Sequence, residues 1–227
     1  MGRLLLVRHG QASFGADDYD VLSDTGWAQG RALGAWLAAR GERPTAYARG
    51  GLRRHRETLE ALLEGAGGAG WDGPDALVDP DWDEFDHVGV VASWPGLAGD
   101  VPADRRDFQR AFEQATAAWT AGEHDGAGES YLDFVTRVRG ALVRATAAAG
   151  SGETVLVVTS GGPIAVAAAT LVDPEGDDPV QTARLWQRFN TVTVNSAVTR
   201  VVAGATGARL LTFNEHPHLG GDLLTYR

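Results

Sequence analysis

The fold predicted by this sequence is a three-layer α/β/α sandwich around a mostly parallel central sheet, and three observations predict it. The runs Leu4-Leu5-Leu6-Val7 and Val155-Leu156-Val157-Val158 carry no alternating polar residues, as befits strands buried on both faces. Glycines follow both runs closely, Gly10 after the first and Gly161-Gly162 after the second, which reads as strand ending in turn. Between and after these runs come segments with the periodicity of helices, so strand and helix alternate along one chain.

Taken in order, the first strand is predicted over 3–7. Ser23 reads as an N-cap, opening a helix through Trp27, Leu33, Trp36 and Leu37 that closes before Gly41. A short strand over 45–48 leads to a helix over 52–63, and 65–70 is a glycine-alanine loop. Residues 77–107 are rich in Asp, Gly, Pro and Trp and lack periodicity; a long irregular stretch of this kind is more often functional than accidental. Helices are predicted over 104–121 and 130–149, the second apolar strand over 153–159, and a helix from Gly161-Gly162-Pro163 to about Val172. A further helix covers 180–189. Two strands, 196–202 and 209–213, close the chain around a turn at 203–208. No internal repeat interrupts the pattern, so 1–227 is expected to be a single domain with 77–107 covering the substrate.

Composition excludes several function classes. The formal net charge of -10 argues against nucleic acid and anionic membranes as partners. Trp71, Trp82, Trp94, Trp119 and Trp186 are too scattered for a base-stacking platform and read as core or pocket walls. All 20 basic residues are arginine, which rules out lysine Schiff bases and a Walker-type phosphate loop. With no cysteine, disulfides, thiolate metal sites and cysteine nucleophiles are excluded as well. His216 and His218 have metal-like spacing, but Glu215 alone beside them favours a structural role. Met1 leads directly into the first strand without a signal-peptide pattern, and no apolar segment is long enough to span a bilayer, so a cytoplasmic protein is expected.

Four segments carry chemistry. Arg8-His9-Gly10 ends the first strand, where open α/β sheets bind ligands. Histidine is a competent nucleophile toward phosphorus, and arginine offers a planar fork of donors to phosphate oxygens. Alone, the tripeptide equally fits a strand end with solvated side chains. Gly50-Gly51-Leu52-Arg53-Arg54-His55-Arg56-Glu57-Thr58 follows a strand and opens a helix, a place that favours anions. Asp81-Trp82-Asp83-Glu84-Phe85-Asp86-His87 sets carboxyl groups beside aromatics, where desolvation raises a carboxyl pKa as a general acid requires. Thr159-Ser160-Gly161-Gly162 is again a strand-to-helix turn. Arg105, Arg106 and Arg110 read as a solvated helix face, with an approach to substrate as the alternative.

In this order the segments resemble the histidine phosphatase superfamily, the phosphoglycerate mutase-like family, over most of the chain. The motif Arg8-His9-Gly10 is similar to the family's nucleophile motif, and the stretch from Leu22 to Gln29 to the helix start after it. Leu52, Arg54 and Thr58 match the pattern of the second phosphate-binding arginine, with Arg54 in that role. Glu84 stands where the family has its general acid, and 195–199 with 214–219 resemble its closing hairpin. One departure stands out: Ser160 occupies the place of the family's second histidine, which bonds the phosphoryl oxygens.

The resemblance implies a metal-independent, acid-type phosphatase that needs no cofactor and hydrolyses a small-molecule phosphomonoester. His9 would form a phosphohistidine, Arg8 and Arg54 would hold the phosphoryl group, and Glu84 would protonate the leaving oxygen. Ser160, Gly161, Gln11 and Ser13 would add substrate contacts. Serine in place of histidine implies reduced turnover, since a lost donor to developing charge costs about 10²–10³ in rate; the Gly161 and Gly162 amides, or a remote histidine such as His87 or His218, could compensate. A phosphoryl-ligand-binding pseudoenzyme is the alternative. A phosphoglycerate mutase is disfavoured, because residues 11–20 are acidic where the family's glycolytic mutases are basic. A homodimer is compatible with the sequence.

Overall fold

The computed structural model describes residues 1–13, 20–71, 76–97, 99–102, 104–176 and 178–226, without the Arg105 side chain. Most of the acidic stretch after His9, the approach of Arg105 to substrate, and Ala98 and Ala103 of the 77–107 segment therefore lie outside the described residues.

In chain order the elements are β1 (Gly2–Arg8), α1 (Asp24–Ala39), β2 (Ala46–Arg49), α2 (Arg53–Ala66), β3 (Leu77–Val78), α3 (His87–Ala92), α4 (Arg105–Thr120), α5 (Tyr131–Ala148), β4 (Thr154–Thr159), α6 (Gly161–Val172), α7 (Pro179–Asn190), β5 (Val198–Gly204) and β6 (Gly207–Glu215). The six strands form one sheet in the order β3-β2-β4-β1-β5-β6. The first four run parallel, and β5 and β6 close the sheet as an antiparallel hairpin, so the sheet is mixed with a parallel centre.

The two apolar runs are the central strands, and their alternation builds two cores. Leu4, Leu6, Val155 and Val157 face a layer made of α3 to α7, with Trp82, Phe85, Trp119, Phe134, Ile164 and Trp186 among the buried groups. Leu5, Val7, Leu156 and Val158 face Leu33 and Leu37 of α1 and Leu59 and Leu62 of α2. Successive residues of a strand point to opposite faces, so one uninterrupted apolar run serves both layers. Ser23 caps α1 as expected, its hydroxyl accepting from the Gly26 amide.

Two expectations need correction. The 77–107 segment is not wholly irregular: it holds β3, a short 3-10 turn at Pro80–Trp82 and α3. The glycine-alanine loop starts later than expected, because α2 continues to Ala66.

The topology places a crevice between β1 and β4. From β1 the chain leaves into α1 on one face; from β4 it leaves into α6 on the other. Such a divergence opens a gap at the carboxyl ends of the two strands, where α/β sheets bind ligands. Register pairs Arg8 with Thr159, so His9 and Ser160 emerge from neighbouring strand ends.

Candidate active site

At this crevice lies a cavity of about 950 Å³, lined by Arg8, His9, Gln11, Ser13, Arg54, Glu84 and Gly161 at one end. Seven of the eight residues singled out from the sequence thus border one space, although their positions span the chain from 8 to 161.

His9 is buried and its backbone is fixed on both sides. Its amide donates to Thr159 O of β4 (2.8 Å), and its carbonyl accepts from Asn195 Nδ2 (3.2 Å) and the Ser196 amide (3.3 Å). The ring Nδ1 lies 2.7 Å from Gly10 O. A carbonyl only accepts, so Nδ1 carries the hydrogen and Nε2 keeps its lone pair. Burial holds the imidazole well below its ordinary pKa, and the charges of Arg54 and Arg8 add to that effect. The ring is therefore neutral near pH 7, the state a nucleophile requires.

Arg8 donates from Nη1 to the carbonyls of Thr193 and Tyr226 (3.0 Å to the latter), which ties the end of β1 to two distant segments. Arg54, in the first turn of α2, is buried and pairs through Nη1 with Asp20 Oδ1 at 2.7 Å. The same carboxylate accepts from the Arg53 amide (2.7 Å) and the Arg54 amide (3.4 Å). Asp20 thus serves the α2 N-terminus as an anion would, through free amides and dipole.

Glu84 reaches the cavity from the loop after the 3-10 turn. Thr159 Oγ1 donates to Trp82 O, and Arg137 Nη1 donates to Asp81 O (3.0 Å) and Asp83 O (2.7 Å), which fixes this loop against β4 and α5. Glu84 Oε2 accepts from the Gly162 amide at 3.0 Å. A Cβ on Gly162 would stand 2.1 Å from Glu84 Oε1, so only glycine permits this approach. Burial raises the Glu84 carboxyl above its ordinary pKa, opposed by the Gly162 amide and by Arg54 and Arg8.

Ser160 is placed differently from the other seven. It is fully buried and does not border the cavity; its Oγ lies 2.8 Å from Nε2 of His55, a fully buried histidine of α2. Of the two remote histidines, His87 lines the cavity. His218 does not: its Nε2 bonds Ser196 O (3.0 Å) and its ring lies against Trp36. Among the described residues no cluster of histidine and carboxylate groups could hold a metal ion, and no helix is long and apolar enough to cross a membrane.

The family model described as histidine phosphatase superfamily (branch 1) matches residues 4–216. The chain belongs to the histidine phosphatase superfamily. No curated protein matches the sequence significantly. Among solved structures, this chain is similar to a phosphoserine phosphatase variant from Entamoeba histolytica in complex with phosphoserine (14% identity, 96% of this chain and 100% of that one, TM-score 0.65). It is similar also to a mycobacterial glucosyl-3-phosphoglycerate phosphatase (23% identity, 94% and 99%, TM-score 0.64) and to the alpha-ribazole phosphatase of Shigella flexneri (18% identity, 94% and 96%, TM-score 0.62). At these identities the likeness is one of fold.

Two groups at this site are not legible in the sequence. His55 and Asp20 gave no signal of their own, since neither periodicity nor spacing aims them at the site. Of the far wall of the cavity, the sequence points to Trp186 as a core or pocket-wall residue and to Phe85 beside Glu84; Phe108 and Phe112 complete its aromatic part, joined by Gln109, Glu113, Gln187 and Asn190. Much of that wall comes from α4, whose exposed Arg110 pairs with Asp107 instead.

Proposed function

We propose that the protein is a phosphomonoester hydrolase that works through a phosphohistidine on His9. The observation that carries this reading is the bond from His9 Nδ1 to Gly10 O, which leaves an unprotonated Nε2 in a cavity shared with Arg8, Arg54 and Glu84. The phosphoryl group is held by the two arginines, which neutralise its charge. His9 Nε2 attacks phosphorus in line, the P–N bond forms and the ester P–O bond breaks. Glu84 gives its proton to the departing alkoxide, and its raised pKa keeps that proton available. In the second half, Glu84 takes a proton from water, the water oxygen attacks phosphorus, and the P–N bond breaks to release phosphate and neutral His9.

The cavity also supports a class of leaving group. Its 950 Å³ lies near the upper end of small-molecule sites, about 300–1,000 Å³, so it has room for far more than a phosphate. Beyond the phosphate end, Phe108 and Phe112 stand nearly parallel (6.3 Å, 10°), with His87 edge-on to both. Glu113 is the carboxylate on that wall and disfavours an anionic far end. The reading is a phosphomonoester of a large, uncharged, partly apolar alcohol.

A phosphatase screen comparing the parent with His9→Ala tests both statements. Loss of turnover in the variant, a trapped phosphohistidine in the parent, and kcat/KM higher for bulky neutral esters than for phosphoserine or phosphoglycerates are expected. Turnover unchanged in His9→Ala refutes the mechanism. Ligand binding without turnover in the parent marks a pseudoenzyme, and interconversion of phosphoglycerates marks a mutase.

A further inference from the structure

We propose that His55 is a positioning residue of this site, a second imidazole that supports the bound phosphoryl group from behind His9 and is itself held between Ser160 and Asp83. This rests on the phosphatase reading above.

The geometry is a buried line of three side chains. His55 Nε2 lies 2.8 Å from Ser160 Oγ. On its other side Nδ1 lies 3.5 Å from Asp83 Oδ1, and it has no hydrogen-bond partner among the described residues. Asp83 is in turn fixed by the Gly51 amide (2.6 Å) and the Leu52 amide (3.3 Å) at the entry to α2. Both ends of the line are built for closeness. A Cβ on Gly50 would sit 2.4 Å from Asp83 Oδ1 and 2.4 Å from His55 Nδ1, so any other residue there would drive the pair apart. Ser160 holds the N-cap position of α6, yet its hydroxyl makes no capping bond. That hydroxyl is committed to the histidine.

The line backs directly onto the nucleophile. The His55 and His9 ring centroids are 5.8 Å apart, and Ser160 leaves β4 beside His9 at the end of β1. A fully buried imidazole whose Nδ1 has only a long contact to Asp83 costs stability that an apolar residue would not. That cost makes sense where the ring carries a proton during the reaction. Burial pushes the His55 imidazole down from its ordinary value, and Asp83 opposes this. The charged or titratable groups facing His55 are Asp83 from the loop before Glu84, Arg54 on α2, Asp20, and His9 at the end of β1. When a phosphoryl dianion adds negative charge to this set, His55 takes up one proton from solvent with it, and the imidazolium satisfies both ends at once. Nδ1–H then closes on Asp83, and Nε2–H donates to Ser160 Oγ. The serine hydrogen is released from the histidine, and the cation stands behind His9 as charge develops on the phosphoryl oxygens.

The test uses the full-length protein and a set of variants, with p-nitrophenyl phosphate as substrate. His55→Gln keeps a polar partner for Ser160 but cannot carry a proton, so a merely structural role is rescued by it. Under the proposal, both His55→Ala and His55→Gln lower kcat/KM about 100-fold, as for loss of a charge-stabilising group. Adding Ser160→His to His55→Ala places an imidazole back across the vacated space and raises kcat/KM at least tenfold over His55→Ala. A Gln variant within threefold of the parent, or no gain from the reciprocal pair, overturns the proposal. A parent that hydrolyses no phosphomonoester refutes the phosphatase reading instead. The role of His55 is then read by calorimetry with orthophosphate in the His9→Ala background. Affinity at least tenfold weaker on adding His55→Gln supports it, and equal affinity overturns it.

Discussion

Replacing Gly162 with alanine drives a methyl carbon to 2.1 Å from Glu84 Oε1, 3.0 Å from Glu84 Cδ and 3.2 Å from Phe134 Cζ. Phe134, on α5, is fully buried in the core it shares with α6, so the carboxyl must move. It then leaves the Gly162 amide, its anchor at 3.0 Å. Overpacking of this kind costs about 1–3 kcal/mol. In a protein of this size each kcal/mol lowers the melting temperature by about 2–4 °C, so a fall of roughly 2–12 °C is expected. The larger effect is on chemistry. A displaced acid forfeits about 10²–10⁴ in rate where the leaving group needs a proton. The assay compares an alkyl phosphate with p-nitrophenyl phosphate, whose leaving group is stable as the anion. Gly162→Ala should lower kcat/KM, which reports the first half-reaction alone, at least 100-fold on the alkyl ester and less than tenfold on the aryl ester. Equal losses on the two esters, or none on the alkyl ester, would show that Glu84 is not the acid.

Glu84→Gln is expected to stabilise the protein in a pH-dependent way. The folded-state pKa of Glu84 is raised above the ordinary 4.5, so its stabilising contribution is whole below that value and lost as pH rises through the raised one. The variant should therefore melt higher than the parent near pH 8 and no higher at pH 4; a difference constant across that range refutes the assignment. Asp20→Ala removes a carboxylate from Arg54 and from two α2 amides, so orthophosphate inhibition should strengthen about tenfold, the worth of roughly one charge-assisted bond. The same change should cost about 0.5–2 kcal/mol of stability through the lost cap, and weaker inhibition would mean that Asp20 does not compete for the anion site. Ser160→His alone, with His55 still in place, crowds two imidazoles into a space where Oγ and Nε2 are already 2.8 Å apart and both residues are fully buried. Its melting temperature should fall by roughly 2–12 °C, and a melting point equal to the parent's contradicts the packing described.

What could be read from the sequence follows from how locally each feature is encoded. Strands β1 and β4 are legible because burial on both faces removes polar residues from the run. The N-cap of α1 is legible because Ser23 bonds an amide three residues on. Strand β3 is not, since Leu77 and Val78 are exposed and paired only with β2, a contact set by topology. His9, Arg54 and Glu84 were found through motifs, each a short string at a strand or helix end. The partnership of His55 with Ser160 spans 105 residues of sequence and exists only because α2 and the end of β4 face one another. The stacking of Phe108 on Phe112 follows from helical spacing, but that they face the cavity is decided by how α4 packs over the sheet.

The bond from Arg8 to Tyr226 O has a practical corollary for anyone handling this protein. The last described residue, Tyr226, is itself part of the cavity wall and its carbonyl is held by the arginine beside His9. A bulky group introduced next to it would begin at the wall of this cavity and compete for its space. Met1, at the far end of β1 and 84% exposed, offers the safer attachment point, so kinetic constants are best taken from N-terminally tagged or untagged protein.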